Sequence, residues 1–145
     1  MKKLLLAVAV ATALATAAPV AQAASTAANF NVTVNLTSKC EVTAGPTDVA
    51  FTYTSFQTGA STAAGGAFGV RCTNTLPYTM ALDATSGTVI GLAYTLGLSA
   101  SSGTGAGLTG ASYSVTGNMA SGQSGDCATT AVCFGTQARV LTVSY

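Results

Sequence analysis

The chain has 145 residues, of which 49% are hydrophobic and only 6% charged, with no His and no Trp. That length suits one domain and leaves no room for a second. A net charge of +1 excludes partners gripped by rows of cations, nucleic acid above all.

Residues 1–23 read as an export signal. Lys2 and Lys3 form a basic start, residues 4–17 an apolar run, and Ala21-Gln22-Ala23 a small-x-small cleavage site. A transmembrane anchor would need about 20 apolar residues, and this run breaks before that, at Pro19. Removing the signal leaves residues 24–145, in which Lys39, Arg71 and Arg139 stand against Glu41, Asp48, Asp83 and Asp126, a net of −1. Three scattered cations build neither a phosphate-binding patch nor a footing on an anionic membrane.

Residues 29–40, NFNVTVNLTSKC, alternate apolar and polar side chains. As a strand they put Phe30, Val32, Val34 and Leu36 on one face and Asn31, Thr33 and Asn35 on the other. At about 3.3 Å per residue, residues 28–36 would reach roughly 30 Å, the length of a sandwich. Burying the four apolar side chains is worth about 6 to 10 kcal/mol in gross transfer energy, so this strand needs a groove. The sequons Asn31-Val32-Thr33 and Asn35-Leu36-Thr37 fall inside it rather than on a loop and read as chance matches.

Further period-2 segments follow: Val49, Phe51 and Tyr53; Phe68, Val70 and Cys72; Tyr78, Met80 and Leu82; the apolar stretch 89–98; Tyr113 and Val115; and the final segment 137–145 with Leu141, Val143 and Tyr145. Residues 59–66, 99–112 and 121–125, almost wholly Gly, Ala, Ser and Thr, read as the gaps between them. Many short strands and no helical period predict an all-β antiparallel sandwich or barrel. The last segment is an apolar edge blunted only by Arg139, which predicts that another strand covers it.

Four cysteines in an exported chain predict two disulfides, with three pairings open. Cys127 and Cys133 can close a small loop, leaving Cys40 with Cys72, and this is the pairing expected. Five residues between Cys127 and Cys133, with no His nearby, do not suit zinc. Gly105-Ala106-Gly107-Leu108-Thr109-Gly110 fits GxGxxG, but it lies in Gly/Ser-rich sequence with no helix after it and reads as a hairpin loop. Four carboxylates and no His give poor material for acid/base work or for activating a Ser or Cys. The inventory predicts no enzyme, no cofactor, no metal and no small-molecule substrate.

Several stretches in order carry a resemblance. Phe-Asn-Val-Thr-Val-Asn-Leu-Thr precedes the first Cys; Phe68-Gly69-Val70-Arg71-Cys72-Thr73 leads into Pro77-Tyr78-Thr79; then come Leu92-Ala93-Tyr94-Thr95-Leu96, a GxxxxGQ element at 117–123, and Leu141-Thr142-Val143-Ser144-Tyr145. The chain resembles the spore coat protein U domain family, which includes major subunits of archaic (Csu-type) chaperone-usher pili. The likeness implies an incomplete immunoglobulin-like β-sandwich over residues 40–145, completed by a donor strand in residues 24–39 of another subunit. It further implies a periplasmic chaperone, an outer-membrane usher and other pilin subunits as partners, and a surface pilus that supports adhesion and biofilm formation.

Carried onto this sequence, the resemblance makes Phe30, Val32, Val34 and Leu36 the donor side chains. Leu141, Val143 and Tyr145 lie in the strand bordering the groove, and Cys40, bonded to Cys72, anchors the point where the donor leaves its own body. The alternative is a self-contained secreted coat or matrix protein with a binding role. In it Thr37-Ser38-Lys39 turns residues 28–36 back into their own sheet.

Overall fold

The computed structural model describes residues 23–145; the export signal expected over residues 1–23 lies, but for Ala23, outside them. Internal contacts divide the chain into Met1–Val34 and Asn35–Tyr145. The second unit carries eight strands: β1 (Cys40–Ala44), β2 (Ser61–Cys72), β3 (Pro77–Leu82), β4 (Ser86–Val89), β5 (Leu92–Leu98), β6 (Ser102–Thr104), β7 (Ala111–Met119) and β8 (Leu141–Ser144). No helix occurs among the described residues, so none there is long and apolar enough to cross a membrane. The fold is all-β, in keeping with an incomplete immunoglobulin-like sandwich.

One sheet has the order β1-β2-β7-β5-β4 and the other β6-β3-β8, with every ladder antiparallel. Alternation puts Phe68, Val70 and Cys72 of β2 inward, where they meet Tyr78 and Met80 of β3, Val115 of β7 and Cys40 of β1. A second cluster of Leu92, Tyr94 and Met119 holds Phe51 and Tyr53 against it. Inside the first, the Tyr78 and Tyr113 hydroxyls share a 2.7 Å hydrogen bond. Burial, reinforced by that bond, pushes the Tyr78 phenol up to about 12.

The expected strand at Val49, Phe51 and Tyr53 is not one: residues 45–60 enter no ladder. Their side chains nevertheless alternate inward, Val49 onto the first cluster and Phe51 and Tyr53 onto the second. Period 2 reports which way side chains point, whereas a strand also requires a neighbour's backbone. Two glycines make this seat. A Cβ at Gly65 would stand 2.8 Å from Val49, and one at Gly117 would collide with the Phe51 ring, so the segment lies close on β2 and β7.

Two expected gaps also proved to be partly strand. Residues 61–66 open β2, which slips register between Ala64 and Ala67, and the 99–112 gap contains β6 and the start of β7. Small residues suppress the apolar alternation that betrays a strand, while the backbone pairing survives. The 105–110 stretch is a loop, as expected, but it joins β6 to β7 across the two sheets and so is not a hairpin between paired strands.

The GxxxxGQ element ends in a brace. Gln123 lies alongside Ala93 of β5 like a further strand residue: the Ala93 amide donates to its Oε1 at 2.6 Å and its Nε2 donates to the Ala93 carbonyl at 3.0 Å. Its Nε2 also donates to the Ala120 carbonyl, and its own amide donates to the Tyr53 hydroxyl. Gln123→Ala removes the three side-chain bonds and should lower stability by about 2 kcal/mol, at about 0.5 to 1.5 each. Denaturant titration checks this, and a loss below a few tenths would refute the brace.

Candidate functional site

Among the described residues, four strands end their sheets, β1 and β4 in one and β6 and β8 in the other, and of these β1 and β8 lie side by side. β1 pairs only with β2 and β8 only with β3, each the last strand of its sheet, and the two approach one another. Cys40 lies opposite Cys72 where β2 ends, so β1 starts at the end of the sandwich from which β3 also starts, and β8, antiparallel to β3, runs back towards it. β1 and β8 therefore run in opposite directions. The Cys40–Cys72 disulfide ties β1 to β2 across a Cα separation of 4.1 Å.

Leu141 and Val143 of β8 are half-buried against the core shared by Cys40, Val70, Cys72 and Met80. Tyr145 lies just past the last paired residue and is 62% exposed. The strand expected over residues 137–145 is thus four residues long. On β1, Val42, opposite Val70 of β2, is 44% exposed.

β8 is held at its start by a polar clasp. The Val140 amide donates to Asp83 Oδ1 at 2.9 Å, and the Asp83 amide donates to the Val140 carbonyl at 2.9 Å. Arg139 donates through Nε to the Tyr94 hydroxyl at 2.9 Å and through its terminal nitrogens to the Ser86 carbonyl, Gln137 and Asp83. The Tyr94 hydroxyl in turn donates to Gln137 Oε1. Arg139 and Gln137 make these polar bonds ahead of the strand, and the ladder begins at Leu141, opposite Leu82, the last residue of β3.

The Val140 amide, with help from Ala84 and Arg139, holds the Asp83 carboxyl below its ordinary range. On β1, Lys39 and Arg71 lower Glu41 in the same way. A carboxylate whose folded pKa is depressed stabilises the fold above its unfolded pKa, and the gain is lost as pH falls through the folded value. Thermal stability should therefore fall on acidification through and below the ordinary carboxylate range. Asp83→Asn, which keeps the acceptor for Val140 but does not titrate, should show a shallower fall; an unchanged slope of Tm against pH would count against the clasp.

Residues 23–39 carry no strand and join no ladder among the described residues. Phe30, Val32, Val34 and Leu36 are 84%, 77%, 78% and 78% exposed. Both disulfides form with the expected partners, Cys40–Cys72 and Cys127–Cys133. The reading of the sequence missed β1 as the edge strand beside β8. Its signal is the short alternation Cys40, Val42, Ala44, directly behind a more conspicuous one.

Set against known protein families, the chain matches the Spore Coat Protein U domain over residues 26–128. The matched residues take in the exposed apolar segment and β1 to β7; β8 and the Cys133 side of the small disulfide lie beyond them. Neither the curated proteins nor the solved structures give a match.

Proposed function

Because the chain belongs to the spore coat protein U domain family, whose members are subunits of pilus or coat type, we propose that it is a structural subunit of a surface pilus. In this reading it is exported to the periplasm by residues 1–23, held there by a chaperone, and joined to other copies at an outer-membrane usher. Joining is by donor-strand complementation, and the fibre serves adhesion and biofilm formation.

The observation that carries the reading is a mismatch within one chain. Four apolar side chains of strict alternation stand more than three-quarters exposed in a segment without a ladder, while β1 and β8 each keep an unpaired edge. Strand addition resolves both: main-chain hydrogen bonds give affinity, and alternate side chains entering a groove give specificity. Phe30, Val32, Val34 and Leu36 are the donor side chains, with Leu141, Val143 and Tyr145 along one wall of the groove. Each copy gives forward and receives behind, so the contact is head-to-tail and propagates as a filament.

Electrophoresis in detergent of the exported protein, unboiled beside boiled with disulfides intact, tests it. The expected result is a ladder that collapses to monomer on boiling. A single monomer band in both lanes would overturn strand exchange and favour a self-contained secreted coat or matrix protein.

A further inference from the structure

The most exposed large apolar side chains of the sandwich stand on loops at its two opposite ends. At the near end, where the chain enters β1, Leu108 is 91% exposed on the loop of residues 105–110. That loop is pinned to the β2–β3 turn: the Thr75 amide donates to Gly105, the Gly105 amide to Leu76 and the Gly107 amide to Cys72. Leu108 follows Gly107, whose φ of 66° makes the reversal that lifts the side chain outward. This is the GxGxxG stretch, which no phosphate-binding context explains.

At the far end stand Phe56, Val132 and Phe134, which are 74%, 78% and 88% exposed. All three are carried by loops gathered round the β4–β5 turn. The Phe56 amide donates to the Gln123 carbonyl, and the Asp126 amide donates to that of Ile90. Gly135 approaches Val89 and Ile90 too closely for a Cβ. Phe56 is held at a φ of 64°, a conformation a bulky residue seldom adopts, and such outliers persist where the surroundings impose them. The Cys127–Cys133 disulfide closes the loop that presents Val132 and Phe134.

We infer that Leu108 of one subunit packs against the Phe56, Val132 and Phe134 loops of the next, forming a second contact at every junction of the filament, outside the strand groove. This rests on the donor-strand reading above and names the surface it brings together. A strand entering between β1 and β8 runs antiparallel to one and parallel to the other. If it ran antiparallel to β1, its donor body would emerge at the acceptor's near end, where the acceptor's own chain enters β1, and two copies would swap reciprocally and close. A filament instead requires entry antiparallel to β8, which delivers the donor's body to the acceptor's far end. The near end of one copy then meets the far end of the next, and the two apolar sets face each other. Large apolar side chains left in water at both ends are buried by this one apposition.

The test places a photoreactive benzoylphenylalanine at position 108 of the full chain and irradiates assembled filaments. Cross-links between copies should map to peptides holding Phe56 or residues 126–135. Leu108→Asp should leave the heat-labile ladder intact while shortening the filament's persistence length at least twofold in electron micrographs. A normal ladder with photoproducts confined to one copy, or mapped elsewhere, would overturn the second contact and leave strand exchange standing. A missing ladder in the unsubstituted protein would overturn both.

Discussion

Val34→Asp should abolish filament formation while leaving the sandwich folded. Val34 is 78% exposed and sits outside every ladder, so the change leaves no cavity and no broken hydrogen bond in the body. In the groove the same residue would lose the burial of a branched side chain, worth about 1.5 to 3 kcal/mol. It would also bring an unpaired carboxylate against apolar walls, at a further cost of several kcal/mol. Together these weaken each junction by more than a hundredfold, on the order of 3 kcal/mol or above. Detergent electrophoresis should show monomer alone, and circular dichroism a sheet signal equal to the parent's. Filaments of normal length from this variant would remove Val34 from the donor set. Asn35→Asp, on the opposite face of the same alternation, is the matched control and should assemble.

The two disulfides should differ in their worth. Joining Cys40 to Cys72 spans 32 positions, and the chain-entropy account gives about 3 to 4 kcal/mol for a loop of that size. Cys127 and Cys133 are 6 positions apart, for which it gives about 2 kcal/mol. Environment widens the gap. Cys40 and Cys72 are buried among Val70, Tyr78 and Met80, and their loss also disturbs packing, whereas Cys127 lies exposed on a loop. Replacing the first pair by Ala should lower the denaturation midpoint markedly and expose β1, while replacing the second should move it by roughly half as much. Equal losses would show that β1 does not depend on its covalent tie. Peptide mapping without reduction checks the pairing itself, and a Cys40 to Cys127 link would refute it.

The parts of the fold that sequence revealed are those where side chains advertise the backbone. Phe68, Val70 and Cys72 alternate, are large and lie buried, so β2 could be read from its second half. Its first half, Ser61 to Gly66, carries only small side chains and looked like a turn-rich gap. Residues 49–53 failed in the opposite sense, because they alternate and pack inward without finding a partner backbone. The edge strand β8 was legible as an apolar segment at 137–145, but the polar clasp ahead of Leu141 was not. Arg139 lies 56 positions from Asp83 and Gln137 lies 43 from Tyr94, and nothing local announces that they converge. β1 escaped for a third reason: five residues are too few to set a period beside the longer alternation that precedes them.

The ion pairs leave the body with little net charge on show. Residues 24–145 carry seven charged side chains, and five of them are consumed in pairs: Lys39 and Arg71 on Glu41, and Arg139 on Asp83. Asp48 and Asp126 are left unpaired among the described residues, on an outer surface that is otherwise mostly hydroxyl, methyl and glycine, apart from the exposed Phe56, Leu108, Val132 and Phe134. A coat so nearly neutral projects little field beyond its hydration layer, so added salt has almost nothing to screen. In the filament proposed above, cohesion would rest on buried apolar area and not on charge pairs that added salt could screen.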